Sequence, residues 1–137
     1  MSAPDLLDSN VLVYAYDVSS PQKREIAQKL VVRAINGEYV ASTQVLAEFA
    51  ATLIHKVSAS PYDVNAILDT LAPIKLILPD HGVVRRAVEA RASYGLHFYD
   101  GMIIAAAERA GCARIWSEDL NAGQKYFGVL VQNPFNE

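Results

Sequence analysis

Residues Asp100-Gly101-Met102-Ile103-Ile104-Ala105-Ala106-Ala107 run on to Gly111, and Ala113-Arg114-Ile115-Trp116 and Ser117-Glu118-Asp119 follow directly. The first stretch is predicted as a small-residue helix that Asp100 caps and Gly111 ends. The second is a short apolar strand. A helix leading into a strand this way runs antiparallel to it. The helix N-terminus, and Asp100 with it, therefore returns to the end of the sheet where Asp119 follows the strand.

The rest of the chain repeats this alternation. Leu6-Leu7 is a short strand stopped at Asp8-Ser9-Asn10, and Val11 to Tyr16 is too short to assign from its period. Ser20-Pro21 starts a helix whose buried stripe is Ile26, Ala27, Leu30, Val31, Ala34 and Ile35, ended by Gly37. Tyr39-Val40-Ala41 is a second strand. A helix from about Thr43 carries Val45, Leu46, Phe49, Leu53, Ile54 and Val57 on one face. Another opens at Ser60-Pro61, completing a helical hairpin. Ile74 to Leu78 reads as a third strand, and the helix after it, with Val83, Val84, Ala87 and Val88, closes at Gly95. Val129-Leu130-Val131 is a candidate fifth strand after the one ending at Trp116. Strands separated by helices predict a single α/β domain over 1–137: a mostly parallel sheet of four to five strands with helices on both faces.

Composition narrows the function. The chain has 137 residues, 52% of them hydrophobic and 20% charged, with Gly 7 and Pro 6, which excludes disorder and collagen-like repeats. A net charge of −3 means that any nucleic-acid partner must be held by local groups or a bound cation. The single cysteine, Cys112, forms no intramolecular disulfide and reads as a small buried hydrophobe. No apolar run approaches the roughly 20 residues of a spanning helix, and the first residues lack a signal-peptide layout. A soluble protein of the reducing cytoplasm, without a membrane partner, is expected.

Ligands of parallel sheets bind outside the carboxyl ends of the strands. Asp8 leaves the first strand, Glu48 lies about a turn beyond the second, Asp119 follows the fourth, and Asp100 returns to the same end. Each has an ordinary explanation: the three aspartates as helix or turn caps, Glu48 as part of a solvated stripe with Gln44 and Thr52. Together they repel one another unless protonated or compensated. An all-oxygen set without His or Cys suits Mg²⁺ or Mn²⁺. Such an ion neutralises charge on a phosphodiester and aligns the attack of water on it.

At these residues the chain resembles the PIN-domain ribonucleases, and within them the small VapC-type toxins of bacterial toxin–antitoxin pairs. Asp8 to Asp17 is similar to the first family motif and Ser42 to Phe49 to the second. Phe98 to Ala107 is similar to the third, and Trp116 to Leu120 to the fourth. The resemblance spans essentially the whole chain. It implies a PIN-like fold and an Mg²⁺- or Mn²⁺-dependent endoribonuclease, the toxin of a type II pair. By this analogy Asp8 and Asp100 are direct ligands of the metal. Glu48 completes the site or positions the attacking water, and Asp119 acts through water or a second ion. Asn10 and Ser117 support the site, and Glu118 competes with Asp119 for the fourth place. The resemblance further implies a homodimer, a cognate antitoxin covering the acidic pocket, and RNA as substrate.

Two other readings stay open at this stage: an RNA-processing or DNA-flap nuclease of the same fold, and a non-catalytic receiver-like binding module. The basic doublets Lys23-Arg24 and Arg85-Arg86 read as solvated helix faces. His97 reads as a loop residue or a substrate contact. Tyr94, Phe98 and Tyr99 are candidates either for stacking bases or for packing beneath a loop. Neither a nucleophile elbow nor a phosphate-binding glycine loop is present.

Overall fold

The computed structural model describes residues 3–136; Met1, Ser2 and Glu137, which the single-domain expectation includes, lie outside the described residues. Strand β1, Asp5–Leu7, is buried along its length and stops at Asp8. The Asp8 carboxylate accepts from the Ser9 backbone N–H and so caps α1, Ser9–Tyr14, the segment whose period was undecidable. Helix α2, Pro21–Ile35, begins with proline in its first turn. Strand β2, Tyr39–Ser42, passes directly into α3, Thr43–His55, because Ser42 Oγ accepts from Val45 N at 3.1 Å. Helix α4, Pro61–Thr70, is capped the same way by Ser60. Strand β3, Lys75–Ile77, leads to α5, His81–Tyr94, which ends on Gly95 at φ 70°. Helix α6, Phe98–Arg109, precedes β4, Arg114–Trp116, and the chain closes with β5, Lys125–Tyr126, and β6, Val129–Gln132.

The sheet order is β3-β2-β1-β4-β6-β5, parallel except for β5 against β6. From β1 the chain steps outward to β2 and β3, then jumps back to β4 on the other side of β1. Right-handed crossovers then put α5 and α6 on the face opposite α1 to α4. The reversal makes the gap between β1 and β4 the topological switch point, where such sheets open a crevice at their carboxyl ends. Register pairs Leu7 with Trp116, and Asp8 N donates to the Trp116 carbonyl at 3.0 Å. The residues that follow these two strands therefore emerge side by side.

Leu6, Leu12, Val45, Phe49, Ile104, Ile115 and Val131 are fully enclosed in one core that joins the sheet to its helices. Each such side chain stabilises the fold by roughly 1.5–3 kcal/mol. Helices α5 and α6 pack closely through small residues; a Cβ built on Gly101 would lie 2.9 Å from the Ala87 carbonyl oxygen.

The structure corrects several expectations. The sheet has six strands rather than four to five. The additional β5 is two residues long, too short to show a period, and a tight turn joins it to β6. Phe127 and Gly128 both adopt positive φ there, the geometry that matches hairpin twist. Asp100 does not cap α6. The helix begins at Phe98 after His97, and Asp100 sits in its first turn, where the helix dipole favours a carboxylate. Ile26, Ile54, Val57, Val84 and Val88 are exposed, although their spacing assigned them to buried stripes.

Candidate active site

Asp8 is only 4% exposed. One carboxylate oxygen accepts from Ser9 N at 2.7 Å and the other from Ser117 Oγ at 2.7 Å. Burial pushes its carboxyl up to about 6. The Ser117 and Ser9 hydrogen bonds oppose this, while the charges of Glu48 and Asp119 add to it. Asn10 is the hinge of the cluster. Its Nδ2 donates to Asp8 at 3.4 Å, to Ser117 Oγ at 3.3 Å and to Asp119 at 3.2 Å, and its Oδ1 accepts from Glu118 N. Ser117 Oγ in turn accepts from Asp119 N at 3.1 Å, shaping the turn after β4. Asp119 is thereby free of capping duty.

Glu48 and Asp100 complete the group. Gln44, one helical turn before Glu48, donates through Nε2 to Glu48 Oε1 at 3.0 Å and to the Tyr99 carbonyl at 2.9 Å. That bridge ties α3 to the start of α6, beside Asp100. The Glu48 carboxyl is raised by burial and by Asp100 and Asp119 against the Gln44 bond. Asp100 is raised by burial and by Asp119, with His97 pulling the other way. Charge thus couples Asp8 to Glu48 and Asp119, Glu48 to Asp100 and Asp119, and Asp100 to Asp119, and none of the four forms an ion pair with a basic side chain among the described residues.

Glu118 is a different case. It bonds Lys23 Nζ at 2.6 Å and Tyr14 Oη at 2.7 Å, and these contacts outweigh its burial and lower its carboxyl. Asp119, not Glu118, joins the cluster. Nothing in the local sequence announced Lys23 and Tyr14 as partners of Glu118. Gln44 had a signal, its four-residue spacing from Glu48. Of the basic doublets, Lys23 is paired with Glu118, and Arg86 pairs with Glu108 and Glu89, so neither is merely solvated. Tyr94 packs edge-on against Tyr126 and Phe127, and its Oη accepts from Phe127 N. It serves the fold, while Tyr99 stays exposed beside the acids. A cleft of about 970 Å³ opens at the opposite, amino end of the strands, where Arg114 pairs with Asp5 and Arg33 with Glu38.

The donor set suits a hard divalent cation: carboxylate oxygens, no nitrogen or sulfur, and no ion pair to any of the four among the described residues. Among the described residues, no three His, Cys, Asp or Glu side chains converge as a closed ion-binding group. Mg²⁺ does not require one, since it keeps several waters and takes one or two carboxylates. Among the described residues, no helix is long and apolar enough to cross a membrane.

The comparisons agree with the fold. A chain of a toxin–antitoxin complex from Klebsiella pneumoniae superimposes with a TM-score of 0.72 at 18% identity, covering 95% of this chain and 97% of that one. A chain of a VapBC2 complex from Rickettsia felis, bound to a DNA fragment from its promoter, gives a TM-score of 0.69 at 18% identity. Coverage there is 94% of this chain and 97% of that one. No curated protein matches the sequence. The PIN domain family model matches residues 6–127, nearly the whole described fold and every residue of the acidic cluster. The chain belongs to the PIN domain family.

Proposed function

We propose that the protein is a divalent-metal-dependent endoribonuclease using Mg²⁺ or Mn²⁺, and the toxin of a type II toxin–antitoxin pair. The observation that carries this reading is the arrangement at the β1/β4 switch point: Asn10 joins Asp8 to Asp119, Gln44 joins Glu48 to the start of α6 beside Asp100, and none of the four acids forms an ion pair among the described residues. Membership of the PIN family supports nuclease chemistry. The fold shared with chains of toxin–antitoxin complexes supports an antitoxin partner; a homodimeric toxin acting in the cytoplasm is part of the same proposal.

Asp8 and Asp100 would hold the ion, with Asp119 reaching it through water. When bound, the ion supplies neutralisation of charge on the scissile phosphate. Asp8 is held by Ser9 and Ser117, and Asp119 by Asn10, so both carboxylates are oriented before any ligand arrives. Gln44 occupies one oxygen of Glu48 and leaves the other to orient water and take its proton. Exposed Tyr99 is placed to meet an unstacked base.

The test is cleavage of single-stranded RNA by the wild type and by Asp100→Asn. Wild-type cleavage should stop in EDTA and return with Mg²⁺ or Mn²⁺, and the variant should stay silent with either ion. Full activity in chelator, or retained cleavage by Asp100→Asn, overturns the proposal.

A further inference from the structure

Beside the acids lies a second, smaller cleft of about 300 Å³. It is lined by Asn10 and Asp119 from the cluster and by Thr52 and Lys56 from the far end of α3. Gln44, Glu48, Thr52 and Lys56 follow one another at four-residue spacing, so they form one slowly turning stripe along the helix. Lys56 stands about 12 Å beyond Glu48 on that stripe, from eight residues at 1.5 Å each. Thr52 Oγ1 is turned back onto the Glu48 carbonyl at 3.0 Å. Asp17 and Glu118 also line the cleft: Glu118 is offset by Lys23, while Asp17 accepts from the Ser19 hydroxyl and N–H and keeps its negative charge. Lys56 makes no ion pair among the described residues. It is exposed and lines the same cleft as Asp119.

We propose that Lys56 and this cleft form a subsite for a backbone phosphate of the RNA strand, next along from the phosphate at the acidic cluster. This rests on the nuclease reading above and extends it. A chain of net charge −3 repels a polyanion, and an ion at the carboxylates answers only for the phosphate it meets. The strand on either side needs its own cation, and lysine binds phosphate as a point charge. Lys56 is therefore a binding residue, and its removal weakens substrate capture without touching the chemistry.

The experiment measures initial rates on a random-sequence single-stranded RNA pool with Mg²⁺ over a series of KCl concentrations. Wild type, Lys56→Ala and Lys56→Arg are compared, with Asp100→Asn as the control for the nuclease reading. Lys56→Ala should raise KM about five- to tenfold, leave kcat within about twofold, and lower the slope of log KM against log salt by about 0.7, one single-strand phosphate contact. Lys56→Arg should restore KM and slope, because the charge returns. A Lys56→Ala variant with wild-type KM and slope, or one that loses kcat at unchanged KM, overturns the subsite while the nuclease reading stands. A wild type that leaves the pool uncut, or an Asp100→Asn variant that cuts it, overturns both.

Discussion

Replacing Asp8 by asparagine should stabilise the metal-free protein at neutral pH while ending its activity. The Asp8 carboxyl is raised from 3.8 to about 6, first by burial and then by the charges of Glu48 and Asp119. A carboxylate raised on folding binds its proton more tightly in the native state. The wild type therefore loses stability as pH climbs from about 4 to about 6, and carries the full deficit above that. The shift converts to about 3 kcal/mol. Asparagine has one oxygen where Asp8 uses two, for Ser9 N and Ser117 Oγ, so the substitution forfeits one hydrogen bond worth about 1 kcal/mol. The net gain is about 2 kcal/mol at pH 7.5, since asparagine caps a helix about as well as aspartate. Urea titrations in EDTA at several pH values measure it. The Asp8→Asn midpoint should exceed the wild-type midpoint at pH 7.5, meet it at about pH 4.5 and fall below it in stronger acid. Added Mg²⁺ should then raise the wild type alone, by about 2.7 kcal/mol at a hundredfold excess over its Kd. A variant less stable than wild type at pH 7.5, or a gap that does not change with pH, refutes the claim that Asp8 is buried under repulsion.

Two further predictions follow from particular contacts. Glu118→Gln should keep RNA cleavage within about fivefold of wild type, because a part-exposed ion pair is worth at most about 1 kcal/mol. Asp119→Asn should lose cleavage by far more, and the reverse order would move the fourth acid to Glu118. Gly101→Ala should lower the urea midpoint by the equivalent of about 1–3 kcal/mol, since its methyl group would meet the Ala87 carbonyl at 2.9 Å. An unchanged midpoint would show that α5 and α6 separate there at no cost.

Much of the architecture was legible in the residues themselves. Ser60-Pro61, Gly95 and Gly111 mark helix ends through local dihedral and hydrogen-bond preferences, which need no knowledge of the rest of the chain. The exposed valines of α5 show the limit of such reasoning. Period places Val84 and Val88 near Val83 and Ala87, but how wide a stripe is covered depends on what packs against it. β5 escaped for a similar reason: two residues become a strand only when β6 pairs with them.

The acids divide along the same line. Their identity, their order and their places after strands or at helix starts are properties of the chain alone, because strand and helix ends are written locally. Which of Glu118 and Asp119 turns toward Asp8 was settled only by folding. Lys23 and Tyr14 arrive from α1 and α2, nearly a hundred residues earlier in the chain, to take one carboxylate away, while Asn10 takes hold of the other. Charge and hydrogen bonding act through space, and the distances on which they depend do not exist until the sheet has brought β1 and β4 together.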